Sequence, residues 1–185
     1  MSEEEFIKEI KKNPNEFGKV YDEHYRRIFN YCLKRTKDFN TSRDICAETF
    51  LKAFLGIGKF KWKGISIQSW LYKIATNEIR LYYRAQNYRP VSLDALGWEG
   101  FSNKSSTDPV LQEEQSSAEK EFERHKQFLK VRNAITGLPI IYQEVLTLKY
   151  FENLKIIEIS GILNKPEGTV KSLLSRGIKQ LKQRL

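Results

Sequence analysis

Apolar residues in the first half of the chain recur three and four positions apart, which is the spacing of an amphipathic helix. The first stripe consists of Phe17, Val20, Tyr21, Tyr25, Ile28, Phe29, Cys32 and Leu33. The second consists of Ile45, Cys46, Thr49, Phe50, Ala53 and Phe54. Thr41 or Ser42 is the predicted N-cap of the second helix, and Gly56 lies near its end. A third helix is predicted over residues 69–87, with an inward face of Trp70, Leu71, Ile74, Ala75 and Ile79.

Helix-breaking residues divide the last third of the chain into shorter helices. The pattern predicts them over residues 128–136, 140–151, 156–163 and 167–185. Pro166 favours the start of the last helix, because proline suits the first turn. No segment alternates as a strand would, so the sequence predicts an all-α fold of two small helical domains. The second domain ends in a tight turn between two short helices, the pattern of a helix-turn-helix.

The 185 residues carry a formal net charge of +9, which is unevenly distributed. Residues 1–88 hold 17 Lys and Arg against 11 Asp and Glu, residues 89–127 hold 5 against 8, and residues 128–185 hold 10 against 4. The middle block also has a run of small polar residues at 102–107, so we predict a flexible acidic linker between two domains. Two basic domains on a polar tether fit a protein that grips a polyanion at two places, although lysine-rich helices are more often only solvated.

The last predicted helix separates its apolar and polar residues onto opposite faces. Its inward face would be Val170, Leu173, Leu174, Ile178 and Leu181. On the outward face, Arg176 offers hydrogen bonds to base edges and Lys179 can neutralise phosphates. Gly168 and Thr169 lack bulk and would let the N-terminus of the helix approach a phosphate. Taken alone, such a helix is more often a solvated amphipathic one; the turn before it and its basic bias favour DNA.

The first domain contains a second candidate for nucleic-acid binding. Lysines and aromatic residues alternate in Lys59-Phe60-Lys61-Trp62-Lys63-Gly64. An exposed ring here can stack on an unpaired base, a contact worth about 1–3 kcal/mol. Trp62 fits this role best, whereas Phe60 fits core packing equally well and Trp70 fits it better. Basic and polar side chains then share one face of the third helix, at Lys73, Asn77, Arg80 and Arg84.

Motifs in both domains resemble the sigma-70 family of bacterial RNA polymerase sigma factors, and the extracytoplasmic-function group in particular. In the second domain these motifs are Leu138-Pro139, Tyr142-Gln143-Glu144-Val145-Leu146, Leu148-Lys149-Tyr150-Phe151-Glu152, Glu158-Ile159, Ile162-Leu163 and Pro166-Glu167-Gly168-Thr169-Val170-Lys171-Ser172. In the first domain they are Arg43-Asp44-Ile45-Cys46-Ala47-Glu48-Thr49-Phe50 and residues 66–77. Ala47 and Leu81 differ from the family's usual residues, which are a glutamine and an acid.

The resemblance implies an initiation factor, not an enzyme, that brings core polymerase to promoters and helps to open the DNA. The −35 contacts would be Glu167, Gly168, Thr169, Lys171, Ser172, Ser175, Arg176 and Lys179. The −10 contacts would be Phe60, Lys61, Trp62, Lys63, Lys73, Asn77, Arg80 and Arg84. The interface with core polymerase would include Asp44, Glu48, Thr49 and Phe50. The implied partners are core RNA polymerase (the clamp helices of its largest subunit, and its flap), promoter DNA and an anti-sigma factor. The linker would pass near the RNA exit path.

Enzyme classes fit the sequence less well. His24 and His125 stand alone, and no cluster has the spacing of metal ligands, so neither a metal nor another cofactor is predicted. The segment 56–59 falls short of a P-loop, because Ala53 replaces its first glycine and Phe60 its Ser or Thr.

The same features suggest where the protein acts. Cys32 and Cys46 are predicted to be reduced core thiols, and the sequence shows no signal peptide and no membrane-spanning run. We therefore expect a cytoplasmic protein without membrane insertion. A stand-alone helix-turn-helix regulator is the alternative function, but it would leave the aromatic and basic loop of the first domain without a role.

Overall fold

The computed structural model describes residues 2–61, 66–88, 130–131 and 133–185. Every regular element within these ranges is helical, which confirms the predicted all-α fold. The helices form two units, one on each side of the predicted linker at 89–127, which itself lies outside the described residues.

The chain begins with a helix that the apolar pattern did not predict, α1 (Glu3–Lys12). Ser2 caps it reciprocally: its Oγ accepts from the Glu5 amide at 3.2 Å, and the Glu5 carboxylate accepts from the Ser2 amide at 2.7 Å. The Glu3 carboxylate accepts from the backbone amide of Ile67 at 2.6 Å. The first helix therefore also holds the start of the helix that begins at Ile67.

Three long helices form the body of the first unit: α2 (Phe17–Thr36), α3 (Phe39–Gly56) and α4 (Ile67–Tyr88). Each packs against the other two, and together they bury most of the apolar residues that the sequence pattern assigned to them. The α4 helix starts two residues earlier than predicted, because the Ser66 Oγ accepts from the Ser69 amide at 3.1 Å.

The junction between α2 and α3 corrects the predicted cap. Lys37 adopts the left-handed conformation, with φ 60°, and ends α2. Asp38 is the N-cap of α3, since its carboxylate accepts from the Thr41 amide at 2.7 Å. The predicted cap at Thr41 or Ser42 was therefore wrong by about one turn. Ser42 is buried inside α3 and donates its hydroxyl to the Asp38 carbonyl.

Both cysteines lie inside this unit. Cys32 and Cys46 are free and fully buried, as predicted. Burial raises the pKa of Cys46 to about 12, and it raises the pKa of Cys32 as well. Neither thiol is therefore reactive at neutral pH.

The second unit consists of helical residues at 130–131 and 133–136, followed by α5 (Ile140–Leu146), α6 (Ile156–Leu163) and α7 (Glu167–Lys182). The predicted break at 137–139 is present. Buried Gln143 stabilises it, because its Nε2 donates to the carbonyls of Thr136 at 3.0 Å and Leu138 at 2.8 Å.

The helix predicted over 140–151 changes its winding partway. A π-helical turn over Thr147–Phe151 follows α5. The side chains of residues 143–148 are all buried, because α5 packs against α7 while Glu144 faces the first unit. A regular α-helix with one buried face would not bury six consecutive side chains; four of the six lie in α5 and two in the π-helical turn.

The predicted helix-turn-helix is formed by α6 and α7. Asn164, with φ 54°, ends α6 in the left-handed conformation, and Pro166 precedes α7. Gly177 in the middle of α7 lies against α5, where an added Cβ would approach Leu146 Cδ1 at 3.3 Å and Tyr142 Cβ at 3.4 Å. The glycine therefore allows the two helices to pack closely.

Candidate nucleic-acid interface

The outward face of α7 is open along its whole length. Val170, Leu173 and Leu174 are buried on the inner side, as predicted. All eight residues predicted to contact DNA from this helix are exposed: Glu167, Gly168, Thr169, Lys171, Ser172, Ser175, Arg176 and Lys179. The surface thus combines hydroxyl, ammonium and guanidinium donors on one side of a helix, a composition suited to the major groove of DNA.

The N-terminus of α7 has no side-chain cap. Pro166 provides no side-chain cap, so no capping side chain satisfies the first backbone N–H groups of the helix. A Cβ placed on Gly168 would meet no described atom within 4 Å. Packing inside the protein therefore does not require glycine at this position, and its small size leaves room for an external group near the helix dipole.

The polar face of α4 lies beside the second unit. Asn77 and Arg84 are exposed, and Lys73 is half-buried. Arg80 donates from Nε and Nη2 to the two carboxylate oxygens of Glu144, at 2.7 and 2.6 Å. These hydrogen bonds raise the pKa of Arg80. Four residues of the predicted −10 set thus share one helix face, and one of them is paired with α5.

The loop before α4 is only partly described. Phe60 is buried, and its ring lies 4.6 Å from that of Trp70 between centroids. Of the two roles considered for Phe60, core packing is the one observed. Lys61 is exposed, whereas Trp62 and Lys63 lie outside the described residues.

The segment predicted to bind polymerase divides into an exposed and a buried half. Asp44 is exposed and Glu48 is half-exposed. Thr49 is fully buried, with its hydroxyl donated to the Ile45 carbonyl at 2.7 Å. Phe50 is also buried and packs on Tyr21. Thr49 and Phe50 therefore support the surface from inside and do not form part of it.

Two leucines that the sequence reading missed extend this surface. Leu51 is 52% exposed and Leu55 is 71% exposed. They continue the spacing of Asp44 and Glu48 along one side of α3, because positions three and four apart share a helix face. The sequence did contain a signal for this surface, since the two leucines are apolar residues that lie outside the inward stripe.

Other kinds of site find little support. Across the described parts of the chain, no group of three or more His, Cys, Asp or Glu residues is placed to hold a metal ion. Each helix in those parts is too short or too polar to cross a lipid bilayer.

In the comparison with protein families, each of the two units matches a separate family model. Residues 20–89 match the family model described as Sigma-70 region 2, and residues 128–181 match the one described as Sigma-70, region 4. The ECF RNA polymerase sigma factor SigW of Bacillus subtilis is 32% identical over 184 residues, which cover 97% of this chain and 94% of SigW.

Two solved structures share the fold. CnrH, solved in complex with the cytosolic domain of CnrY, is 16% identical to this chain, with a TM-score of 0.66. The alignment covers 98% of this chain and 95% of CnrH. The sigma factor RpoE, solved with the anti-sigma factor NepR from Bartonella quintana, has a TM-score of 0.62 at 17% identity, with 90% of this chain and 94% of RpoE aligned. At these identities the likeness concerns the fold.

Proposed function

The chain belongs to the sigma-70 family of RNA polymerase sigma factors, in its extracytoplasmic-function group, and from this we propose how its two units divide the work of initiation. It binds core RNA polymerase, directs it to −35 and −10 promoter elements and helps to open the DNA. The polymerase carries out the chemistry, and the chain supplies binding energy and position.

The open outward face of α7 is the observation that carries this proposal. Its eight exposed residues lie on a helix whose inner side packs on α5 and α6. A helix held in this way enters the major groove as a rigid unit. Arg176 then reads a base edge, Lys171 and Lys179 bind phosphates, and the N-terminus at Gly168 approaches the backbone.

The first unit binds the −10 element. Lys73, Asn77, Arg80 and Arg84 on α4 follow the DNA backbone and base edges, and Lys61 and Lys63 hold the strand beside the loop. Trp62 stacks on a base turned out of the duplex. Phe60, which packs on Trp70, anchors the start of this loop in the core.

The exposed side of α3 binds the clamp helices of the largest polymerase subunit. Asp44 and Glu48 provide charge, and Leu51 and Leu55 provide apolar area that becomes buried on docking. The second unit contacts the polymerase flap while its α7 remains on DNA. The acidic linker connects the two sites through the enzyme.

An anti-sigma factor is a further proposed partner. CnrH and RpoE were each solved in a complex, in the second case with an anti-sigma factor. The fold shared with these proteins supports a partner of this kind for the present chain. A stand-alone helix-turn-helix regulator is not favoured, because its function would not require the first unit, which matches Sigma-70 region 2.

Binding to core polymerase tests the proposal against that alternative. We expect purified core enzyme to bind the chain, and Leu55→Asp to weaken this binding by about tenfold or more, since it places a charge in an apolar contact. Leu81→Asp is the matched control, because Leu81 is 48% exposed on α4, outside the proposed interface. It should change the affinity by less than about twofold. No binding by the parent chain, or equal affinities of the two variants, would contradict the proposal.

A further inference from the structure

The first helix of the chain contacts both ends of the loop that leads from Phe60 to Ile67. At the first end, the Lys11 ammonium donates to the carbonyl oxygen of Phe60. At the second end, the Glu3 carboxylate accepts from the Ile67 amide at 2.6 Å. We call these two contacts the brace. Both come from α1, so a single helix connects the two ends of the loop.

Apolar packing fixes α1 against the body of the first unit. Ile7 and Ile10 are buried, and α1 packs on the short helical turn Ile57–Lys59, which directly precedes the loop. Glu3 and Lys11 lie eight positions apart, which is about 12 Å along the axis of a regular helix. The two side chains of the brace are therefore presented at a fixed separation by a helix that is itself anchored in the core.

Glu3 also completes the N-terminus of α4. A helix leaves its first four backbone N–H groups without partners inside the helix. In α4, Glu3 accepts from the first of these groups, at Ile67. The Ser66 Oγ accepts from the third, at Ser69. A carboxylate at this end also interacts favourably with the helix dipole, so the brace helps to determine where the loop ends and α4 begins.

Aromatic packing defines the base of the same loop. The Phe60 ring lies 4.6 Å from the Trp70 ring between centroids, so the residue before the loop contacts the first turns of α4. A Cβ placed on Gly56 would approach the Trp70 ring at 3.3 Å, so this glycine allows the indole to lie close to the end of α3. The polar contacts of the brace can therefore be removed while these apolar contacts remain.

We propose that Glu3 and Lys11 are positioning residues for promoter opening, which hold the two ends of the loop so that Trp62 meets the unpaired −10 base. The inference rests on the proposed function, because that function assigns the base to Trp62. Neither side chain of the brace needs to touch DNA, since each acts through the backbone of the loop. In a purely electrostatic role the two residues would have opposite effects, because one repels a polyanion and the other attracts it. The brace predicts the same loss when either is removed.

Two variants test the brace, each with a matched control on α1. Lys11→Met removes the ammonium group and keeps the length of the side chain. Lys12→Met makes the same change in charge at the next residue, which is exposed. Glu3→Ala removes the acceptor, and Glu4→Ala is its control, because Glu4 pairs with Lys8 of the same helix at 2.8 Å. Lys11→Arg retains a donor and should behave as the parent chain does.

Hydrogen exchange measures the brace in the free chain, without DNA. Peptides that span residues 60–67 should exchange about fivefold faster in Lys11→Met and in Glu3→Ala than in the control of each, since each change releases one end of the loop. Circular dichroism checks that the helices persist. Exchange rates equal to those of the controls would overturn the brace.

Opening is measured with the chain bound to core polymerase, on a promoter that the parent chain opens. The permanganate reactivity of thymines near −10 should fall about fivefold in Lys11→Met and in Glu3→Ala relative to their controls, and Lys11→Arg should keep the parental level. The affinity for the closed promoter duplex should change by less than about twofold. Opposite changes in the two variants, or a loss in Lys11→Arg as large as in Lys11→Met, would show that the brace does not control opening.

Coupling with Trp62→Ala shows whether the brace acts through the loop. In this background Lys11→Met should lower opening by less than about twofold more, because the side chain that the brace positions is already absent. A further fivefold loss would overturn the positioning role. Failure of the parent chain to bind core polymerase and open any promoter would instead overturn the proposed function, and the exchange rates would still decide whether the brace exists.

Discussion

Thr49 and Phe50 show that a residue within a predicted interface motif can be buried in its own domain. Both lie in the segment that resembles the polymerase-binding motif, yet both are buried, and Phe50 packs on Tyr21. A motif shows which residues occur together, whereas exposure decides which of them a partner can reach. Leu51 and Leu55 lie outside the apolar stripe that was assigned to the core, and the sequence pattern alone gave no role to these exposed apolar positions.

The outward side chains of α7 could be predicted with more success. On a helix with one apolar stripe, the 3.6-residue period assigns each remaining position to the open side. Arg80 was placed on the correct face by the same reasoning, but its pairing with Glu144 was not predicted. A polar pattern indicates that a face lies outside the core of its own domain, and it does not identify the partner of that face.

Replacing Arg176 tests base reading at the scale of one side chain. Arg176→Ala in the polymerase-bound protein should weaken promoter binding by about 1–3 kcal/mol and relax the preference at one position of the −35 element. Binding to duplexes that vary each position in turn measures both effects. Lys182→Ala, at an exposed basic residue on the same helix, should leave the sequence preference unchanged. An unaltered preference in Arg176→Ala would remove this residue from the base contacts.

At the scale of elements, the sequence predicted helices well and their ends poorly. The long amphipathic stripes were found because each repeats over several turns. The start of α3 depends on one hydrogen bond from Asp38, and several nearby residues could equally have formed it. The short α1 was not predicted, although Ser2 and Glu5 have capping-box spacing, because its apolar residues Phe6, Ile7 and Ile10 span little more than one turn.

Close packing of α5 and α7 gives a stability prediction. Gly177→Val should lower the free energy of unfolding by about 1–3 kcal/mol, because the added carbons would overlap Leu146 and Tyr142. Chemical denaturation measures the change. Ser175→Val is the control, since it places the same β-branched residue at an exposed site on the same helix. Equal unfolding free energies for the two variants would show that α7 does not depend on this close contact.

At the scale of the whole molecule, the charge pattern has two consequences. Two basic units suit a polyanion, as the sequence indicated, but two units of like charge also repel each other. Glu144 and Glu152 offset this repulsion where the two units meet, because they pair with Arg80 and Lys34. The contact joins residues more than sixty positions apart, and no local pattern predicts a pairing of that range.

In the structure, α4 and the second unit meet around Arg80, whereas the outward face of α7 and the Asp44–Leu55 side of α3 stay exposed. Of the predicted −10 residues on α4, Arg80 is paired with Glu144, while Asn77 and Arg84 remain exposed.

The central claim is that this chain directs core polymerase to promoters. Run-off transcription tests it, with purified bacterial core polymerase on a library of genomic fragments. Discrete transcripts should appear only when the chain is added, and their start sites should share one sequence element near −35 and another near −10. A chain that shifts duplex DNA by itself, yet yields no transcript beyond the background of the core enzyme, would show that it is a DNA-binding regulator without a role in initiation.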